Sequence, residues 1–289
     1  MSIKEILKTA KQELSELEIP AVDAELMLAH VLGASRMDLH AREFKLNLEQ
    51  QELFQEMMQA RKSGTPTQYL TGEAPFRYLT FSVGLGVLIP RPETELLVDA
   101  ALVEIERIQS APNLASVPDV SIVDLGAGSG AIAISIAHEA AQRKMSVHVV
   151  AVEKSLSAVE WLKKNISRHE VDVRVIYDDV SNALQGVKCD IVVANPPYIP
   201  NETILPDLVK ENEPHEALFG GAKDGMQAPL QFITAATRLL KSGGLLIMEH
   251  FENQSTALER ELAQEYFEIS HYTDLNNRPR WITARRKGQ

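Results

Sequence analysis

The residues with the sharpest chemical meaning stand together as Asn195-Pro196-Pro197-Tyr198. Two consecutive prolines fix φ and remove two backbone donors, so the segment is rigid and presents carbonyl oxygens. The Asn195 side-chain oxygen and the Pro196 carbonyl can both accept from one NH₂ group. An amide or aromatic amine nitrogen is a poor nucleophile, because its lone pair is conjugated. Two acceptors that hold its hydrogens aim that lone pair at an electrophile such as a sulfonium methyl. The work is orientation and charge stabilisation, with no strong base needed. Tyr198 can pack on the planar group or on a sulfonium cation.

A second group of residues reads as a cofactor site. A strand ends in Ile122-Val123-Asp124-Leu125-Gly126-Ala127-Gly128-Ser129-Gly130, and a helix follows at once. Glycine at every second position lets the backbone turn tightly and approach a ligand, and the helix start supplies free N–H groups. Gly126-x-Gly128-x-x-Ala131 also fits a degenerate dinucleotide fingerprint, so the loop alone leaves a dehydrogenase open. Glu153 ends the next strand, where a carboxylate can take both ribose hydroxyls of a nucleoside. NAD and S-adenosylmethionine share that ribose. Asp178-Asp179-Val180 follows the third strand. An acid there can accept from an adenine amino group while the apolar neighbour touches the ring. The fourth strand, Asp190–Ala194, runs into Asn195–Tyr198. A hydride-transfer enzyme has no use for that loop, so the combination points to a sulfonium donor and a planar NH₂ acceptor.

These groups need a scaffold, and its periodicities are readable. Residues 1 to 67 read as a helical bundle. Ser2 with Glu5 forms a capping box, and Ile3, Ile6, Leu7, Ala10, Leu14 and Leu17 recur at helical spacing. Pro20 opens a second helix with Val22, Leu26, Ala29 and Leu32 inward and Gly33 as its stop. Asn47 with Gln50 caps a third, which carries Leu53, Phe54, Met57 and Ala60 and ends at Gly64. Residues 68 to 92 mix Phe76, Tyr78, Phe81, Val83, Val87 and Ile89 with glycines, which predicts a β-hairpin linker. Residues 93 to 289 form the third section. Glu93 to Ile108 is helical, and from Val120 strands and helices alternate, the pattern of an α/β parallel sheet covered on both faces. The closing strands Glu268–Tyr272 and Trp281–Ala284 suggest an antiparallel pair at one edge.

Composition narrows the setting. The formal net charge of −11 disfavours a nucleic-acid partner. The single cysteine, Cys189, permits no internal disulfide and reads as a small core residue. The N-terminus has no apolar signal core, and no run approaches the roughly 18 apolar residues that span a bilayer. A cytoplasmic protein is therefore expected. The eight histidines show no metal-ligand spacing, so no metal is implied. Glu249-His250 closes a strand and could face the cleft, with packing or solvent exposure the stronger expectation. The oligomeric state is not set by the sequence, and a monomer is the default.

Asp124–Gly130, Glu153 and Asn195–Tyr198 resemble class I methyltransferases that modify planar nitrogens, both adenine-N6 and glutamine-N5. Gln68–Gly72, Leu88–Glu95, Glu213-Pro214, Ala217-Leu218 and Gly220-Gly221 narrow the likeness to the release-factor glutamine methyltransferases, the HemK/PrmC family. That resemblance implies a seven-stranded Rossmann-like domain, S-adenosyl-L-methionine as cofactor, and an N-terminal bundle that helps grip the release factor. The implied substrate is the glutamine of a Gly-Gly-Gln loop, methylated on its side-chain amide nitrogen. Position by position, Gly126, Ala127, Gly128, Ser129, Gly130, Glu153, Asp179 and Val180 would hold the cofactor, with Asn195 beside them. Asn195, Pro196, Pro197 and Tyr198 would hold the amide, with Asn195, Pro196 and Tyr198 as the catalytic set. Phe76 would wall the substrate pocket, and Arg91 and Glu95 either order that wall or form surface ion pairs. The family often has Asp where Glu153 stands and an aromatic where Val180 stands. An adenine-N6 enzyme acting on nucleic acid is the alternative, disfavoured by the charge and by the lack of a basic, aromatic-rich arm. An intact Asn195–Tyr198 argues against a non-enzymatic translation adaptor.

Overall fold

The computed structural model of the chain describes residues 2–111, 118–204, 212–274 and 276–288. The chain divides into two compact units. The first is built mainly from Met1–Glu73, the second from Ala74–Ser82, Gly86–Ile204 and Glu213–Gln289.

In the first unit, helix α1 (Ile3–Ser15) starts at the reciprocal Ser2–Glu5 box. Helix α2 (Val22–Leu32) ends on a left-handed Gly33. Two short helices, α3 (Arg36–Ala41) and α5 (Thr67–Thr71), were not expected. The Ser35–Asp38 box of α3 is a readable start signal, but the helix buries only Leu39, too little to make a periodic stripe. Helix α4 (Leu48–Lys62) starts at the Asn47–Gln50 pair. The inward stripes need correction. Leu17, Leu26 and Leu53 are exposed, and the buried face of α2 runs through Ala24, Met27, Leu28 and Val31. Helix α2 packs against α1, α3, α4 and α5. Most of its circumference is covered, so a single stripe is a poor guide there. A buried ion pair, Asp23 to Arg61 at 2.7 Å, ties α2 to α4.

The second unit begins with a hairpin of β1 (Glu73–Phe76) and β2 (Leu79–Ser82). A 3₁₀ turn at Pro92–Thr94 leads into α6 (Glu95–Gln109). Alternation follows: β3 (Val120–Leu125), α7 (Ala131–Gln142), β4 (Val147–Glu153), α8 (Leu156–His169), β5 (Val173–Tyr177) and β6 (Cys189–Ala194). Then come α9 (His215–Leu218), α10 (Gln227–Leu239), β7 (Leu240–Glu249), α11 (Ser255–Leu262), β8 (Tyr266–Thr273) and β9 (Pro279–Arg286). The sheet has seven strands in the order β5-β4-β3-β6-β7-β9-β8, the expected α/β class. Strand β9 runs antiparallel between β7 and β8, so the closing pair is where the sequence places it. Strand β7 starts five residues before the expected Leu245. It carries Ser242-Gly243-Gly244 inside the strand opposite a register shift at Cys189/Ile191, and in sequence such glycines read as a turn.

The central strands are apolar almost throughout because helices cover both faces. Cys189 is among these core residues, and burial pushes its thiol up to about 12, the condition of an inert packing residue. Among the described residues no helix is long and apolar enough to cross a membrane.

Two buried polar side chains stand out in this unit. Asn165, fully buried on α8, donates to the carbonyls of Ser82 at 3.0 Å and Ser129 at 2.9 Å, and accepts from Ser82 N at 2.7 Å. It ties the hairpin to the glycine loop. Replacement by alanine strands those backbone groups without partners. Asn165→Ala is expected to cost about 3 kcal/mol in urea unfolding, and a loss below the scatter of surface substitutions would count against this role. Asp124, fully buried in β3, accepts from Ala133 N at 3.1 Å through one oxygen. Its other oxygen has no partner among the described residues. Burial pushes its carboxyl up to about 7, and Glu153 adds to the rise. A raised carboxyl pKa favours the protonated folded state, so this stability is complete below the ordinary Asp range and is lost as pH rises from about 4 through 7. Asp124→Asn stays neutral. Its stability relative to the parent is expected to improve by about 4 kcal/mol between pH 4 and 8, and parallel pH profiles for the two proteins would contradict the burial argument.

Candidate active site

The parallel registers bring the key positions to one edge of the sheet. Leu125 lies opposite both Val152 and Ala194, and Ala194 lies opposite Met248. Gly126, Glu153, Asn195 and Glu249 therefore follow from, or end, four adjacent strands at the same level. A cavity of about 320 Å³ opens there, within the range of small-ligand sites. Gly126, Ala127, Gly128, Ser129, Glu153, Asp179, Val180, Asn195, Pro197 and Phe76 line it. Of the residues singled out from sequence, Gly130, Pro196 and Tyr198 lie outside the lining.

Two positions of the glycine loop call for glycine on different grounds. Gly130 has φ 85°, and a Cβ there would stand 2.5 Å from a Leu162 methyl and 2.7 Å from one of Ile134. Gly128 has φ 56° and nothing within 4 Å of an added Cβ, so its backbone borders open space where a ligand can come close. Glu153 braces this loop. One carboxylate oxygen accepts from Gly128 N at 2.8 Å, and the other accepts from Lys154 N and Ser155 N, each at 2.8 Å. Asp179 accepts from Ser181 N at 2.9 Å, a bond that holds its carboxyl below the ordinary range. Val180 beside it is buried.

The Asn195–Tyr198 loop is held from several sides. The backbones of Gly220 and Gly225 lie so close that an added Cβ would meet Pro197 O at 2.9 Å and Tyr198 O at 2.3 Å, respectively. Ile199 exchanges backbone bonds with the Leu218–Gly220 segment, Ile199 N to Leu218 O at 3.0 Å and Gly220 N to Ile199 O at 3.0 Å. Buried Gln254 donates to Tyr198 O and to Asp224 O, each at 2.9 Å. Tyr198 Oη donates to Glu249 at 2.8 Å. Burial, then the Glu249 charge, push the phenol well above its usual range. Asn195 Nδ2 donates to Thr94 Oγ1 at 3.0 Å, and Thr94 Oγ1 donates to the other Glu249 oxygen at 2.7 Å. Neither Asn195 Oδ1 nor Pro196 O accepts a hydrogen bond from another described residue. Burial raises the Glu249 carboxyl, against the pull of the Thr94 and Tyr198 donors and of Arg280.

Arg91 and Glu95 have separate roles. Arg91 pairs with buried Glu213 at 2.6 Å, and Glu213 also accepts from Ile89 N, so this pair orders the segment beside the cavity. Glu95 accepts from Arg77 N at 2.8 Å, fixing the hairpin turn. Thr94, Asn165, Gln254 and Glu249 escaped the sequence reading as site-building groups. The only signal for Glu249 was its place at a strand end.

The residues present suit a nucleoside cofactor with a charged tail. Glu153 stands at the wall, where its side chain could take a ribose diol. Val180, Ala127, Ile132 and Phe232 give the cavity an apolar stretch for a base. Among the described residues no group of His, Cys, Asp and Glu could hold a metal ion.

Comparison with known proteins agrees. Residues 5–72 match the family described as the PrmC N-terminal domain, and residues 110–215 match the methyltransferase small domain. The release factor glutamine methyltransferase of Streptomyces coelicolor is 35% identical over 286 residues, 96% of this chain and 95% of that one. The one from Coxiella burnetii is 36% identical over 290 residues, 99% of each chain. A solved structure from Listeria monocytogenes, described as a candidate class I S-adenosylmethionine-dependent methyltransferase, aligns over 99% of this chain and 87% of its own. Its TM-score is 0.50 at 13% identity, a likeness of fold alone. With such identity over nearly the full length of both chains, this protein belongs to the family of release factor glutamine methyltransferases, enzymes that take their methyl group from S-adenosylmethionine.

Proposed function

We propose that the chain methylates the side-chain amide nitrogen, N5, of the glutamine in the Gly-Gly-Gln motif of peptide-chain release factors, in the cytoplasm. One observation carries the acceptor assignment: Asn195 offers Oδ1 at the cavity while its Nδ2 is engaged by Thr94. With the Pro196 carbonyl, which accepts from no other described residue, that makes two acceptors on one rigid loop, the complement of one NH₂ group. The full-length likeness to release factor glutamine methyltransferases supports glutamine over adenine, and the net charge of −11 favours a protein over a nucleic acid.

When bound, S-adenosylmethionine supplies a methyl group made electrophilic by a positively charged sulfur. Gly126, Ala127, Gly128 and Ser129 would cradle it on the turn that Gly130 makes possible, Glu153 would take its ribose hydroxyls, and Asp179 and Val180 would meet its base. Asn195 Oδ1 and Pro196 O hold the two amide hydrogens and turn the nitrogen lone pair toward the methyl. The nitrogen lone pair would make the new C–N bond to that methyl, while the C–S bonding pair is left on sulfur. The positive charge that builds on nitrogen is stabilised by the same two oxygens until one proton leaves to water. Pro197 and Phe76 wall the amide, and Tyr198 holds the loop against Glu249. Residues 1–67 recognise the release factor, residues 68–92 link, and residues 93–289 carry the chemistry. The enzyme acts as a monomer.

Methyl transfer from labelled cofactor to a purified release factor is the direct test. Label is expected in the protein and absent when the Gly-Gly-Gln glutamine is replaced. Label entering DNA or RNA while the release factor stays inert would overturn the assignment. Asn195→Ala is expected to lower kcat by about 10²–10³-fold and to leave the cofactor Kd, measured by calorimetry, within about threefold. A Kd loss as large as the rate loss would make Asn195 a cofactor ligand instead.

A further inference from the structure

Glu249 is a carboxylate buried to 1% exposure at the end of β7, one strand from Asn195. It accepts from two hydroxyls, Thr94 at 2.7 Å and Tyr198 at 2.8 Å. Thr94 is itself buried and lies where the 3₁₀ turn meets α6. Arg280 adds a positive charge beside the group. The polarity of this chain follows from donor and acceptor counts. Both oxygens of Glu249 accept from hydroxyls and Arg280 stands beside it, which favours the ionised form; a carboxylate only accepts, and a threonine hydroxyl has one hydrogen. The hydrogen of Thr94 goes to Glu249, so Thr94 can only accept from Asn195. Asn195 must then turn its NH₂ toward Thr94 and its oxygen the other way. The two ends of a carboxamide are nearly equal in size, so shape cannot choose between its two flips, whereas hydrogen-bond polarity can.

We propose that Thr94 and Glu249 are positioning residues: they form a relay that locks the Asn195 carboxamide in the one flip that presents an acceptor oxygen to the substrate NH₂. This rests on the amide acceptor proposed above. The reversed flip would present NH₂ to NH₂ and abolish the alignment. Tyr198 anchors the far oxygen of Glu249, so the relay and the loop are fixed by the same carboxylate. The Arg91–Glu95 segment thereby contributes to the reaction through Thr94, a residue with no acid–base chemistry of its own.

Steady-state methyl transfer to the release factor tests the relay with Thr94→Val, Thr94→Ser and Glu249→Gln. Thr94→Val is close in shape but cannot accept from Asn195, and kcat is expected to fall about 100-fold, with KM for the release factor and the cofactor Kd within about threefold. Thr94→Ser keeps the hydroxyl and is expected to restore kcat to within about threefold of the parent. Glu249→Gln can donate as well as accept, so both flips become populated and kcat is expected to fall about tenfold. A Thr94→Val enzyme with parental kcat, a Thr94→Ser enzyme as slow as Thr94→Val, or a loss confined to cofactor affinity would overturn the relay. A second measurement needs neither turnover nor a folded Thr94→Val protein. In ¹⁵N spectra of the full chain with cofactor, the Asn195 side-chain NH₂, assigned by its loss in Asn195→Asp, is expected to be protected from exchange in the parent and unprotected in Glu249→Gln. Equal exchange in the two would also overturn the relay. Parent enzyme that labels no release factor would remove the acceptor reading and leave this spectroscopic result standing.

Discussion

Parallel hydrogen bonding among β4, β3, β6 and β7 is the constraint on which the rest depends. A parallel ladder aligns strand ends that point the same way, and here the register holds Leu125 level with Val152 and Ala194, and Ala194 level with Met248. Side chains separated by tens of residues in the chain then meet across one edge. A slip of two residues at any of these pairings would move one member of the site by about 6.6 Å while leaving every face assignment intact. Buried apolar faces choose which side of the sheet a residue occupies. The loops beyond the edge must choose the level.

The loops do so through buried polar groups that have few alternatives. Asn165 links the hairpin to the glycine loop, Gln254 holds the Tyr198 carbonyl, and Glu213 gathers Arg91 and Ile89 N. Glu249 gathers Thr94 and Tyr198. Each is a polar side chain that would be costly to bury alone, and so each fixes its partners firmly once they are made. The site is thus organised by a handful of side chains that lie outside the cavity lining, with the sheet as their common frame.

Legibility in the sequence followed the range of the interactions. Local rules exposed the capping boxes at Ser2 and Asn47, the stop at Gly33, the strand ends at Glu153 and Asn195, and the glycine loop. Each depends on neighbours within a few residues. Asn165 looks like one polar residue on a helix, and nothing nearby in sequence announces that it faces Ser82, 83 residues away. Thr94 and Glu249 are 155 residues apart and reveal their purpose only when the sheet closes. The exposed Leu26 and buried Met27 show the other blind spot: a helix covered on most sides has no single face for periodicity to find. Family likeness supplied glutamine and the release factor, which donor and acceptor geometry could not have named.

The close approach of Gly220 and Gly225 to the carbonyls of Pro197 and Tyr198 has a kinetic meaning. Backbone stacked this tightly on backbone, with two prolines in one layer, leaves the loop no room to swing toward an incoming group. The acceptor must then come to the loop. The receiving loop is a fixed target, and the conformational adjustment that brings an acceptor into line falls to the acceptor.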